Sequence, residues 1–365
     1  MSKQSKWYRG KRLKITSKKV TPEIIVSGEV KIAKKLSEYE QTEPVQLSLF
    51  EYIQPREKQY SNTIELYDFM PKYHWGKVER INDTFLKSLE RSFECRGTKY
   101  KIEIKPARLK DKEGVEREYF PSKREELVED ALRRFATAGQ GLFLDDAAGV
   151  TFTLYQLQQE LKRNGHSYST AQLKDALLIC AGTKILVSTS DGATVFVSSV
   201  FETLGLQTRE DWKGKGQKSK AFVRFNSLVT ESIKTGTFRQ LNYEKAMSYK
   251  SVIARQLHKR MSHHYTQASI SQPYHITLST IVRDFGLTKY DTPKHNLRNV
   301  CKALDEMKGL EVLLSYRVEP THDAQVRNKL INAKLTLTPH PTFAGEVMQA
   351  NKRHGQIIKT IESSD

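Results

Sequence analysis

The sequence predicts an α+β protein: two tandem winged-helix domains behind a disordered, basic N-terminal tail. Two stretches, 121–197 and 221–337, each read as helices followed by two β-rich runs, the element order of a winged helix. The first sixty residues carry basic groups without apolar periodicity, and 365 residues hold a net charge of +18. An excess of that size predicts a polyanionic partner, nucleic acid before others. The boundaries follow as a tail over 1–60, a small α+β lead-in over 61–115, a first winged helix over 116–206, a basic linker over 207–220, a second winged helix over 221–345 and a C-terminal tail over 346–365.

In the tail, Lys3, Lys6, Arg9, Lys11, Arg12, Lys14, Lys18 and Lys19 come with no acidic residue among them. Such a run repels itself and buries too little apolar surface to offset the entropy of ordering. Inside it stands a pentapeptide, Gln46, Leu47, Ser48, Leu49 and Phe50. Two adjacent apolar anchors behind an amide suit an apolar cleft on a partner, and a disordered tether lets such a peptide dock alone. In the lead-in, Ile64 to Met70 reads as a strand and Asn82 to Phe93 as a short helix. Tyr100, Ile102 and Ile104 alternate with charged residues as a strand does, a turn is expected at Asp111 to Gly114, and a hairpin leads into the next domain.

The first domain opens on a capping box, Ser122 with Glu125, and an apolar stripe of Leu127, Ala131, Leu132 and Phe135. Thr153 to Asn164 is a second helix. Ser169 caps a third running to Ala181, with Leu173, Ala176, Leu177 and Cys180 on one face. Runs over Ile185–Ser188 and Thr194–Val197 flank an Asp191-Gly192 turn signal. Gln172 and Lys174 on the outer face of the third helix are expected to hold phosphates and sense DNA shape rather than read bases. A dimer surface is the other role open to that helix. Lys215 and Lys218 in the glycine-containing linker are expected to touch phosphates without sequence preference.

In the second domain, Ala221 to Phe225 reads as a strand, Ser227 to Lys234 as a short helix, and Asn242 to Tyr265 as one long helix with Ile253, Leu257 and Met261 inward. Its other flank carries Arg255, His258, Lys259, Arg260, His263 and His264, and Arg255 and Lys259 are assigned to the DNA backbone. His263-His264 is not a metal pair on this reading, because adjacent helical residues point about 100° apart. Ile276 to Phe285 is a further helix, and Thr292-Pro293 opens the next, closed by Gly309. In that helix Leu297, Val300, Cys301, Leu304 and Met307 share one face. Lys294 and His295 stand in its first turn, and Arg298, Asn299, Lys302 and Glu306 join His295 on the opposite face. Arg and Asn make bidentate contacts to guanine and adenine in the major groove, so Lys294, His295, Arg298, Asn299 and Lys302 are the expected base readers. Strands over Val312–Val318 and Ala333–Leu337 form a wing, and the chain beyond Gly345 is a short, frayed helix.

Cys95, Cys180 and Cys301 lie far apart without metal-ligand spacing, which argues for a reducing compartment. No cofactor or metal is expected. No secretory signal and no membrane-spanning run is read, so the expected location is the cytoplasm. A phosphate-binding GxxxxGK[ST] loop is absent from the sequence. His295 and Arg298 satisfy an HxxR pattern and Tyr316 is the one later tyrosine, but the further signature of a tyrosine recombinase is missing. The chain is read as a non-enzyme.

The segment Lys250-Ser251-Val252-Ile253-Ala254-Arg255-Gln256-Leu257-His258-Lys259-Arg260, with the Phe222–Asn226 lead-in, resembles the second-domain entry of theta-type plasmid replication initiators of the RepA and TrfA kind. The resemblance spans roughly Pro121 to Leu337, and its motifs are diffuse. The pentapeptide is similar in form to the one by which bacterial polymerases bind the β sliding clamp. The resemblance implies binding to repeated origin sites (iterons), opening of an AT-rich region, and recruitment of the host helicase and initiator proteins. It allows contacts to single-stranded origin DNA and a homodimer without requiring them. A winged-helix repressor is the rival of the same fold.

Overall fold

The computed structural model describes residues 60–76, 80, 85–110, 113–144, 146–192, 195–206, 221–287 and 292–363. It is a mixed α+β chain with two apolar cores. The expected tail, its pentapeptide Gln46–Phe50 and the linker with Lys215 and Lys218 lie outside the described residues.

The chain enters on β1 (Tyr60–Ile64), which runs straight into a short helix, α1 (Glu65–Phe69). The strand expected over Ile64 to Met70 is thus a helix after its first residue. Asp68 explains the change: its carboxylate accepts from the Ile64 amide at 2.6 Å and from the Thr63 hydroxyl at 2.6 Å, folding the chain back on itself. The helix expected over Asn82–Phe93 is replaced, from Leu89, by β2 (Leu89–Cys95), which pairs antiparallel with β3 (Thr98–Lys105). Arg96 and Gly97 make the two-residue turn, both at positive φ (48° and 78°), as the twist of a tight hairpin requires. A second hairpin, β4 (Ala107–Lys110) and β5 (Glu116–Tyr119), leads to α2 (Lys123–Phe135), which opens on the Ser122–Glu125 capping box.

A π-helical turn follows, then β6 (Gly141–Leu144), β7 (Ala147–Phe152), α3 (Leu154–Arg163) and α4 (Thr170–Gly182). Thr153 with Gln156 and Ser169 with Gln172 form capping boxes on the last two. The hairpin β8 (Lys184–Thr189) and β9 (Val195–Ser199) joins the lead-in strands in one sheet of order β2-β3-β8-β9. Then β10 (Phe201–Leu206) pairs with β11 (Ala221–Phe225), whose other edge binds β7. The short helix α5 (Ser227–Lys234) follows, and β12 (Phe238–Asn242) returns to pair with β1.

These pairings move the division between the units. The first core runs from Ile64 to Met247 and includes Val223, Phe225, Val229 and Phe238, and the second begins at Tyr249. The division expected at 220 is therefore displaced toward residue 248, because β11 and β12 find partners only in strands far back along the chain. The lead-in is a layer of the first unit, not a separate one.

The helix expected over Asn242–Tyr265 breaks into α6 (Tyr243–Ser248) and α7 (Val252–His264), each with its own side-chain cap, from Asn242 and Ser251. The second unit then runs through β13 (Tyr274–Thr277), α8 (Leu278–Asp284), α9 (Pro293–Gly309), β14 (Leu313–His322), β15 (Leu330–Pro339) and α10 (Pro341–Ser363). The helix expected from Ile276 begins instead at Leu278, because the Thr277 hydroxyl caps it. The last helix is docked rather than frayed: Phe343 and Val347 belong to the second core and Ile357 to the first.

Candidate nucleic-acid interface

Helix α9 is set on its unit by an apolar stripe. Val300, Ala303, Leu304 and Met307 are buried, with Leu297 packed beside them. Thr292 caps the first turn by accepting from the His295 amide at 3.2 Å, and Pro293 fills the first helical position. Lys294, His295, Arg298 and Lys302 are exposed on the opposite face, and Asn299 is half-buried. No hydrogen bond or ion pair among the described residues engages Lys294, Arg298 or Lys302, so these cations face solvent. Asn299 and Lys302 also line an open cleft with Trp75, Lys250 and Leu287 where the two units meet. Glu306, expected on the outward face, has a structural job. Its carboxylate accepts from the Lys250 amide at 2.6 Å and the Ser251 amide at 3.0 Å, tying α9 to the start of α7.

Beside α9 lies the three-stranded sheet β13-β15-β14. Its long hairpin projects beyond the core: burial fades along β14, and residues 324–329 are all exposed. Arg327, Lys329 and Lys334 are exposed there, as is Arg317, which pairs with Glu319. An exposed cationic helix face beside an exposed cationic hairpin is an arrangement that can contact a duplex at groove and backbone together.

The matching helix of the first unit, α4, shows a weaker version. Lys174 is exposed, whereas Gln172 is occupied: its side-chain oxygen accepts from the Ser169 amide at 2.9 Å. Helix capping, not DNA contact, is what fixes the Gln172 side chain.

Arg255 and Lys259 are not available to phosphates at all. Arg255 is fully buried and Lys259 is 4% exposed. The Arg255 guanidinium donates to Glu126 at 2.7 Å and to the Ala246 and Tyr249 carbonyls, and the Lys259 ammonium meets Asp130 at 2.7 Å and Glu126 at 3.3 Å. Two cations four residues apart on α7 thus face two carboxylates four residues apart on α2. His258 and His263, from the same flank, are also buried. The cationic flank read from the sequence is the joint between the units.

Tyr316 donates to the Asp305 carboxylate at 2.9 Å, and burial, reinforced by that bond, pushes its hydroxyl up to about 12. A nucleophile needs the opposite shift. No described helix is long and apolar enough to cross a membrane.

No family model matches the sequence, and no curated protein matches it. Among solved structures, the chain is similar to one of domains 2 and 3 of RctB, with a TM-score of 0.46 and 9% identity over 75% of this chain and 96% of that one. A second structure of RctB domains 2 and 3 gives a TM-score of 0.43 at 9% identity, covering 75% of this chain and 98% of that one. A structure of the Pi initiator protein in complex with iteron DNA gives 0.39 at 11% identity, over 60% of this chain and 91% of that one.

Proposed function

We propose that the chain is a plasmid DNA replication initiator that binds repeated origin sites through two winged-helix units. The observation that carries this reading is the outward face of α9, with Lys294, His295, Arg298 and Lys302 exposed beside the β14-β15 hairpin, on a chain of net charge +18. A B-form major groove, about 12 Å wide, admits one helix, and an arginine held rigidly on it reads guanine through two hydrogen bonds. The order α7, β13, α8, α9, β14, β15 and the sheet order β13-β15-β14 support reading the second unit as a winged helix, with α9 as recognition helix and the hairpin as wing. In the first unit α2, α3 and α4 precede the β8-β9 hairpin in the same way, and Lys174 there is assigned to phosphate. The protein acts by binding and not by covalent chemistry. It opens the AT-rich region beside its sites and brings in host replication proteins from a cytoplasmic location.

The sliding-clamp contact is assigned to Gln46–Phe50, with Leu49 and Phe50 as anchors. Each such side chain contributes roughly 1.5–3 kcal/mol when it leaves water, against a total of about −8 kcal/mol for a micromolar complex. One experiment tests the reading. The full chain and a Leu49→Ala/Phe50→Ala variant are footprinted on DNA from beside the gene and titrated with the β clamp. Both proteins should protect direct repeats about two helical turns apart, so that bound copies stack on one face of the duplex, and only the parent should bind the clamp. Protection of a single promoter site, with no clamp binding by either protein, contradicts the initiator and describes a repressor.

A further inference from the structure

Glu65, Cys95 and His264 converge where the first unit meets the second. Glu65 opens α1, Cys95 ends β2 at the tight Arg96-Gly97 turn, and His264 ends α7. One donor atom from each lies within 4.8 Å of the other two. His264 Nε2 is 3.4 Å from Glu65 Oε1, yet this buried nitrogen has no hydrogen-bond partner. A second imidazole points the same way. His263 is 4% exposed, neither of its ring nitrogens has a hydrogen-bond partner, and its Nδ1 stands 3.9 Å from Glu65 Oε2. Native interiors rarely leave buried polar atoms unmatched, and a bound ion is one of the few physical reasons for doing so. We propose that Glu65, Cys95 and His264 bind a zinc-class divalent cation that staples the two units together.

The donor set fits that class. One thiolate, one imidazole and one carboxylate are ligands zinc takes, and bonds of about 2.0–2.3 Å in a tetrahedron put neighbouring donors roughly 3.3–3.8 Å apart. The 3.4 Å between His264 Nε2 and Glu65 Oε1 falls within this spacing. Cys95 is a buried free cysteine, and its thiol must give up a proton to bind a cation. As the metal–sulfur bond forms, that proton leaves to solvent. Arg96 donates to Glu65 Oε1 at 2.6 Å. The guanidinium is thus an outer partner that orients the carboxylate. Arg260, a further nearby cation, is tied to Asp284 at 3.0 Å.

The test uses the full-length chain, stripped with a chelator and titrated with Co²⁺. One equivalent should bind with the visible spectrum of tetrahedral cobalt and an intense thiolate-to-cobalt charge-transfer band, both displaced by Zn²⁺, and Zn²⁺ should raise the melting temperature. Cys95→Ser should lose the charge-transfer band, His264→Ala should weaken Co²⁺ binding about tenfold or more, and Cys301→Ser should behave as the parent. Failure of the parent to bind one equivalent, or a spectrum without the thiolate band, overturns the proposal even if the Cys95 variant does not fold. A band that survives Cys95→Ser overturns it equally.

Discussion

Replacing Glu126 by Gln is expected to destabilise the protein by about 3–5 kcal/mol, the usual cost of removing one partner from a buried ion pair. Glu126 is fully buried, and three side chains from α7 converge on it: Arg255 at 2.7 Å, Gln256 at 2.5 Å and Lys259 at 3.3 Å. Burial alone raises a carboxyl pKa, yet the adjoining Arg255 and Lys259 cations hold Glu126 below the usual range. Removing the charge leaves the Arg255 guanidinium, itself fully buried, without its only anionic partner among the described residues. A Glu126→Met/Arg255→Met double variant should recover most of the loss, because it removes both charges and leaves Lys259 its contact with Asp130. Urea denaturation of the parent, Glu126→Met, Arg255→Met and the double variant measures the coupling. If Glu126→Gln unfolds at the parent's midpoint, α2 and α7 are not joined in this way.

His258→Phe is expected to flatten part of the protein's acid sensitivity. His258 is fully buried, its ring lies edge-on to Tyr249 and tilted against Phe343, and neither ring nitrogen has a hydrogen-bond partner. Burial, reinforced by Lys245 and Lys259, lowers it from the ordinary 6.5 to about 3. The folded value lies below the unfolded one. The neutral ring therefore contributes stability that is fully present above about pH 6.5 and is lost as pH falls from there toward 3. The loss is about 1.4 kcal/mol per pH unit, which amounts to roughly 2 kcal/mol at pH 5. The phenylalanine variant should equal or exceed the parent at pH 7, since it removes two unmatched polar atoms, and should gain on it by that margin at pH 5. Urea midpoints at the two pH values decide it. Parallel losses in both proteins would show that His258 takes up its proton without unfolding.

Much of α9 was legible because its signals are local. A Thr-Pro start, a glycine end and an apolar stripe at spacings of three and four lie within one stretch of chain, and the described helix runs Pro293–Gly309. The alternation of Tyr100, Ile102 and Ile104 is equally local, and β3 buries those three residues. What escaped the sequence is non-local. Arg255 and Lys259 have the spacing of an exposed cationic flank, and only the approach of Glu126 and Asp130, about 129 residues earlier, makes them a joint. The segment Ala221–Phe225 reads correctly as a strand, but its neighbours β7 and β10 assign it to the first unit. Glu65, Cys95 and His264 have no motif spacing; the fold alone brings them together. The strand β13, four residues long, is too short to display a period.

Arg298 is the residue at which base reading by α9 can be measured. Its side chain is exposed on the outer face and no described residue holds it, so Arg298→Ala should leave folding unchanged. The measurement is equilibrium binding of the parent and Arg298→Ala to the origin repeat, to that repeat with each base pair changed in turn, and to random duplex, all at one salt concentration. The expected result is a loss of about 1–3 kcal/mol on the origin repeat, relaxed preference at a single base position, and nearly unchanged binding to random DNA. Equal affinity of the two proteins for the origin repeat, with the parent's full set of base preferences retained, would contradict it.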